Sequence, residues 1–169
     1  MTSALLLTDA FDRIRQQVAE TAGGLTADQL AYRVDDDANS IAWLIWHLTR
    51  VQDDHISDVA GTAQAWTDGG WAGRFGLPLD PSDTGYGHTS EQVASVRVGS
   101  PDLLIGYHEA VYAATADYVA SVTDADLERI VDRAWDPPVT LGVRLVSVIS
   151  DSLQHAGQAA FVRGILQRA

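Results

Sequence analysis

The sequence predicts an all-α protein, a four-helix bundle with a long irregular segment between its second and third helices. Three observations carry this: four long stretches with apolar residues every three or four positions, capping residues ahead of them, and one long interval without sustained periodicity. Over residues 4–22, Leu5, Leu6, Ala10, Phe11, Ile14 and Val18 recur at helical spacing between charged neighbours. Asn39 and Ser40 can cap a second helix whose stripe runs through Trp43, Leu44, Leu48 and Val51 to a stop at Gly61. Ser100, Pro101 and Asp102 supply a cap, a first-position proline and a first-turn acid for the third. Thr140, following Pro137 and Pro138, can cap a fourth that ends near Arg163 and Arg168, cations suited to its C-terminal dipole.

Two shorter pieces echo one another, one after the first helix (Leu25 to Leu30) and one after the third (Val122 to Leu127). Each has a capping-box pattern, Thr26 with Gln29 and Thr123 with Asp126. The interval 61–99 holds Trp66, Trp71, the pair Gly69-Gly70 and the cluster Gly85-Tyr86-Gly87-His88, with a short helix expected from Thr89. Long segments of this kind are functional or disordered, and the aromatic content speaks for a packed cover over the bundle. The two tryptophans are expected to anchor that cover.

The chain has 169 residues, 46% hydrophobic and 20% charged, which suits one globular domain over residues 1–169. Its formal net charge of −12 disfavours nucleic acid and anionic membrane surfaces as partners. No cysteine is present, so disulfides, thiolate metal sites and a cysteine nucleophile are excluded, and any thiol chemistry needs a thiol from outside. The start, MTSALLLTDAFDR, has no basic region and is interrupted by Asp9, so it does not read as a signal peptide, and a cytoplasmic location is expected. Nucleotide-binding glycine loops, the G-x-S-x-G elbow and H-E-x-x-H do not occur. The Asp35-Asp36-Asp37 run lacks the spacing of a calcium loop and reads as solvated.

Asp151 and His155 lie four residues apart in the fourth helix and therefore share a face, close enough for a carboxylate and an imidazole to converge on one ion. His47, in the middle of the second helix, can complete the set. The same spacing also fits a local Asp–His ion pair beside a core histidine bonded to a carbonyl, in which case His155 has no partner across the bundle.

The order of WLIWHLTRVQ in the second helix and DSLQHAGQ in the last resembles the DinB-like superfamily of metal-binding four-helix bundles over nearly the whole chain. The family pattern, a helix-two histidine with an H-x3-H pair in helix four, implies metal ligands at His47, Asp151 and His155. The first member of that pair is here an aspartate. In this it resembles the branch of mycothiol-dependent maleylpyruvate isomerase, where an acid replaces the histidine. GLPLDPSDTGYGHTSEQVASVR looks like the corresponding segment of uncharacterised actinobacterial-type members.

Two imidazoles and one carboxylate leave a divalent ion with an open position and net positive charge, which favours an anionic further ligand such as a thiolate. Zinc suits the set, with nickel or manganese as alternatives. The resemblance implies a transferase or isomerase in which a low-molecular-weight, mycothiol-like thiol attacks a small-molecule electrophile. It also implies a homodimer. Gln158 and Arg144 on the same helix stripe are expected beside the ligands or the substrate, and His88 as a lid residue or further ligand. His55 and His108 are expected to be surface or core residues. A metal-assisted hydrolase with Asp54 as base and a non-catalytic metal-binding stress-response protein are the alternatives.

Overall fold

The structure, a computed structural model, describes residues 2–168. Its helices, in chain order, are α1 Ser3–Ala22, α2 Ala27–Ala31, α3 Ile41–Ala60, α4 Ala65–Asp68, α5 Trp71–Phe75, α6 Ser90–Ser95, α7 Pro101–Ala120 and α8 Leu141–Leu166. Side-chain caps set the starts of the four long ones. Thr2, Ser40, Ser100 and Thr140 each accept a hydrogen bond from a backbone N–H in the first turn, and Pro101 stands at the first position of α7. Full capping boxes start α2, with Thr26 and Gln29, and α6, with Thr89 and Gln92.

The echo between the two short pieces holds at the cap and fails beyond it. Thr123 and Asp126 exchange the expected hydrogen bonds, but only a 3-10 turn at Asp126–Glu128 follows. The chain then forms a two-stranded antiparallel ribbon, β1 Ile130–Asp132 against β2 Val139–Thr140, which the helical periodicities gave no sign of. Tertiary packing selects extension here, because the turn, β1 and β2 all lie against α8.

Helices α1 and α3 sit diagonally across the bundle, each packed against both α7 and α8. The buried face of α8 runs Leu141, Leu145, Val148, Ser152, Ala156, Ala159, Val162, the spacing of one helical stripe. Asp151 and His155 each precede a member of that stripe by one residue, which places them at its border. Helix α3 is different: its first ten residues, 41–50, are all buried, well beyond the stripe expected for an amphipathic helix.

The segment 61–99 accounts for this by covering the outer side of α3. Its expected role as a packed cover holds, and it contains three short helices rather than one. Trp66 wedges among Trp46, Phe75 and Tyr107, while Trp71 lies against Tyr107. Gly106 gives Trp71 its place, since a Cβ there would come within 2.9 Å of the ring. Both tryptophans therefore anchor the cover, as expected.

Beneath them Arg50, with 0% of its surface exposed, donates to the Asp83 carbonyl (3.1 Å) and to Gln64 Oε1 (2.9 Å). Its guanidinium lies 3.8 Å from Asp53. The Asp53 carboxylate in turn accepts from the Ala65 and Trp66 backbone N–H groups and from the Tyr107 hydroxyl. One buried ion pair thus pins the start of the cover and its middle, at Asp83, to α3.

His108 lies in the core. The Thr49 hydroxyl already donates to the Ile45 carbonyl, so His108 Nδ1–H donates to Thr49 Oγ1. Nε2 is left buried and, among the described residues, without a partner. A proton there would be a desolvated charge, and burial pushes the pKa down to about 4.

Two outcomes follow from this packing. Because the folded-state pKa of His108 lies below its ordinary value of 6.5, stability is retained above that value and is lost as pH falls toward 4. Urea unfolding at a series of pH values should show a loss of about 3 kcal/mol from this group, and His108→Gln should flatten the profile. Arg50→Ala, which leaves a buried carboxylate without its cation, should cost ~3–5 kcal/mol in the same measurement and open residues 61–99 to limited proteolysis.

Candidate metal centre

The cover reaches the bundle at His47, which is 5% exposed. Its Nδ1–H donates to the Thr84 carbonyl (2.5 Å) and its ring stacks on Trp43 at 4.6 Å. The carbonyl fixes the tautomer and leaves Nε2 as the free coordinating atom. Gly85 permits the approach on two counts: its φ is +91°, and a Cβ there would lie 2.8 Å from His47 Nδ1 and 3.0 Å from the Trp46 ring.

The loop conformation is held by Asp83 and His88. The Asp83 carboxylate accepts from the Gly85 N–H (2.8 Å) and from His88 Nε2–H (2.9 Å), and His88 Nδ1 accepts from the Trp43 indole (3.0 Å). Both His88 nitrogens are therefore occupied. His88 does lie in the cover as expected, but it braces the loop and offers no atom to an ion.

On α8, His155 Nδ1–H donates to Gln158 Oε1 (2.8 Å), so here too Nε2 is the free nitrogen. It lies 3.5 Å from Asp151 Oδ1. The other carboxylate oxygen, Asp151 Oδ2, is buried and lacks a hydrogen-bond partner among the described residues. One ligand atom from each of His47, Asp151 and His155 lies within 4.8 Å of the others, and the two imidazoles meet edge to face at 4.8 Å between centroids. The structure thus brings together the three side chains singled out in the sequence.

The two histidines are tuned in opposite directions. The hydrogen bond to Asp151 raises the pKa of His155 above the ordinary range, against the effect of burial. Burial lowers that of His47, opposed by its hydrogen bond to the Thr84 carbonyl and reinforced by the neighbouring His155. A proton on His155 is the positive charge these groups favour, and a cation would take its place. The donor set passes the chemical test for a divalent metal: two imidazoles with their free nitrogens directed by neighbours, and a carboxylate within reach of both that has one oxygen buried and unpartnered.

The remaining candidates are distributed around this cluster. Gln158 touches His155 directly. Arg144 does not reach the cluster: it pairs with Asp132 (2.8 Å) and donates to His55 Nδ1 (3.2 Å), because the β1–β2 ribbon brings Asp132 over the start of α8. Asp54 accepts from Gln64 Nε2 (2.8 Å). A cavity of about 400 Å³ opens from His47 and Asp151 along the groove between α3 and α8, with Asp54, His55 and Ser147 on its walls and Tyr86 at its mouth. A separate cavity of about 510 Å³, bounded by α3, α4 and α7, includes none of the three clustered residues. Sequence reasoning missed Thr84, Asp83 and Arg50, and the glycines flanking Tyr86 were the one local sign that the loop passes close to another element.

Among the described residues, no helix is long and apolar enough to cross a membrane. No curated protein is similar to the chain. It is similar, at 32% identity and a TM-score of 0.90 over 96% of both chains, to a crystal structure described as a conserved protein from Enterococcus faecalis. The family model for mycothiol-S-transferase matches residues 6–167. With that match spanning almost the whole bundle, cover and cluster included, the chain belongs to the mycothiol-S-transferase family, a DinB-like one.

Proposed function

We propose that the protein is a metal-dependent transferase that uses mycothiol as its thiol co-substrate, with His47, Asp151 and His155 as the ligands of one divalent ion, zinc by preference. The observation that carries this reading is the Asp151 carboxylate, which has one oxygen buried without a partner and lies within ligand reach of two imidazoles whose other nitrogens are already engaged. In a chain of this family, such an arrangement is accounted for by a cation. When bound, a divalent ion lowers the pKa of a thiol so that it persists as the nucleophilic thiolate at neutral pH.

The chain's own residues supply orientation and shelter. Thr84 and Gln158 hold the two imidazoles in the coordinating tautomer. Trp43 and the 83–88 loop shield His47 from water, and the open groove beside Asp151 gives the thiol and a small electrophile access. The absence of cysteine fits a reaction whose sulfur comes from a co-substrate. We further propose that the active form is a cytoplasmic homodimer paired through the outer face of α8, where Val143, Val146, Leu153 and Phe161 form an exposed apolar stripe.

Elemental analysis of protein purified without chelators should find one divalent ion per chain, absent from Asp151→Ala and His155→Ala variants that keep their helical circular dichroism. The loaded wild type should turn over an electrophile only when mycothiol is supplied. Retention of the ion in both variants, or product formed with the thiol omitted, would overturn the proposal. Separately, Phe161→Asp should convert a dimer to a monomer in sedimentation velocity, and an unchanged dimer would rule out this face.

A further inference from the structure

The groove between α3 and α8 runs from His47 and Asp151 toward His55, eight positions beyond His47 and therefore about 12 Å further along α3. Its far end carries polar groups with free capacity. Arg144 Nη1 can only donate, so His55 Nδ1 accepts, and the neutral ring carries its proton on Nε2. Burial and the neighbouring guanidinium hold His55 below the ordinary histidine range, which keeps that form at neutral pH. Among the described residues Nε2 has no hydrogen-bond partner, and neither has the Asp54 oxygen that Gln64 leaves free. Ser147 donates to the Val143 carbonyl and so can only accept in the groove. Tyr86, 93% exposed, stands at the mouth with an apolar ring face available.

No lysine or arginine lines this groove, and it contains the carboxylate of Asp54 in addition to that of Asp151. At the far end, away from Asp151, a carboxylate or phosphate would meet the like charge of Asp54, and the nearest guanidinium, Arg144, is already paired with Asp132 and turned to His55. A hydroxyl group both donates and accepts, and so can satisfy the free Asp54 oxygen, the His55 N–H and the Ser147 hydroxyl in turn. We propose that the groove is the subsite for the uncharged, hydroxyl-rich body of the thiol co-substrate, with Asp54 and His55 as the residues that select it over anionic thiols. The inference rests on the thiol-transfer reading above and assigns the groove to the thiol rather than to the electrophile.

The test uses S-methylated thiols, which cannot become thiolates, so that binding reports on the groove and turnover remains a separate question. Calorimetry on the purified full-length protein should show S-methyl mycothiol, whose body is neutral and rich in hydroxyls, binding at least ten-fold tighter than S-methyl glutathione, which carries two carboxylates. Asp54→Asn keeps the acceptor for Gln64 and removes the charge, and it should narrow that preference several-fold by improving the glutathione analogue. His55→Leu should weaken the mycothiol analogue about five-fold, the effect of one neutral hydrogen bond. His55→Gln, which can still accept from Arg144 and donate into the groove, should restore it. Equal binding of the two analogues by the wild type, or a preference and affinity unchanged in both Asp54→Asn and His55→Leu, overturns the assignment whether or not the protein proves to transfer thiols.

Discussion

A guanidinium with no exposed surface, Arg50, joins the cover to the bundle, and the geometry of the candidate metal centre depends on it. A buried charge of this kind is tolerated only when its partners are placed well, and here they come from α3, from the start of α4 and from the loop at Asp83. Holding the Asp83 carbonyl fixes the next residue, Thr84, whose own carbonyl orients His47. An electrostatic interaction in the interior thus sets which nitrogen of an imidazole is available at the site.

The same logic operates on both sides of the cluster with different chemistry. His47 is directed by a backbone carbonyl in a tight glycine-bearing loop, and His155 by the amide oxygen of Gln158 one turn away on its own helix. Both leave Nε2 free, and both leave the carboxylate of Asp151 as the one acidic group between them. The aspartate where the wider superfamily pattern has a histidine adds a negative charge to the ligand set, so a bound divalent ion would retain a single net positive charge within the three-residue set. That residual charge suits a thiolate, in agreement with membership of a family described by mycothiol transfer.

Around the centre, polar residues are divided between structure and access. His88 has both nitrogens committed to partners inside the protein, and His108 is enclosed in the core away from the cluster, so two of the five histidines face the proposed ion. His55 stands apart from both groups, held from behind by Arg144 with its other nitrogen open to the groove. Arg144 itself is tied to Asp132 of the small ribbon, so the short strands before α8 shape the far end of the groove.

What the sequence determined by itself was local. Caps at Ser40, Ser100 and Thr140 and apolar spacing placed the long helices, and the four-residue separation of Asp151 and His155 put them on one face, because helix geometry relates near neighbours in a fixed way. Its place in the middle of the second helix made His47 the candidate third member, and the resemblance to a known family joined the three as one set. The tertiary structure decided which helices became neighbours, that Arg144 turned toward Asp132, that His88 braced the loop, and that Thr84 met His47 across 37 positions of chain. These outcomes depend on how segments distant in sequence pack and on which buried polar groups remain to be satisfied, and no spacing rule along the chain encodes that.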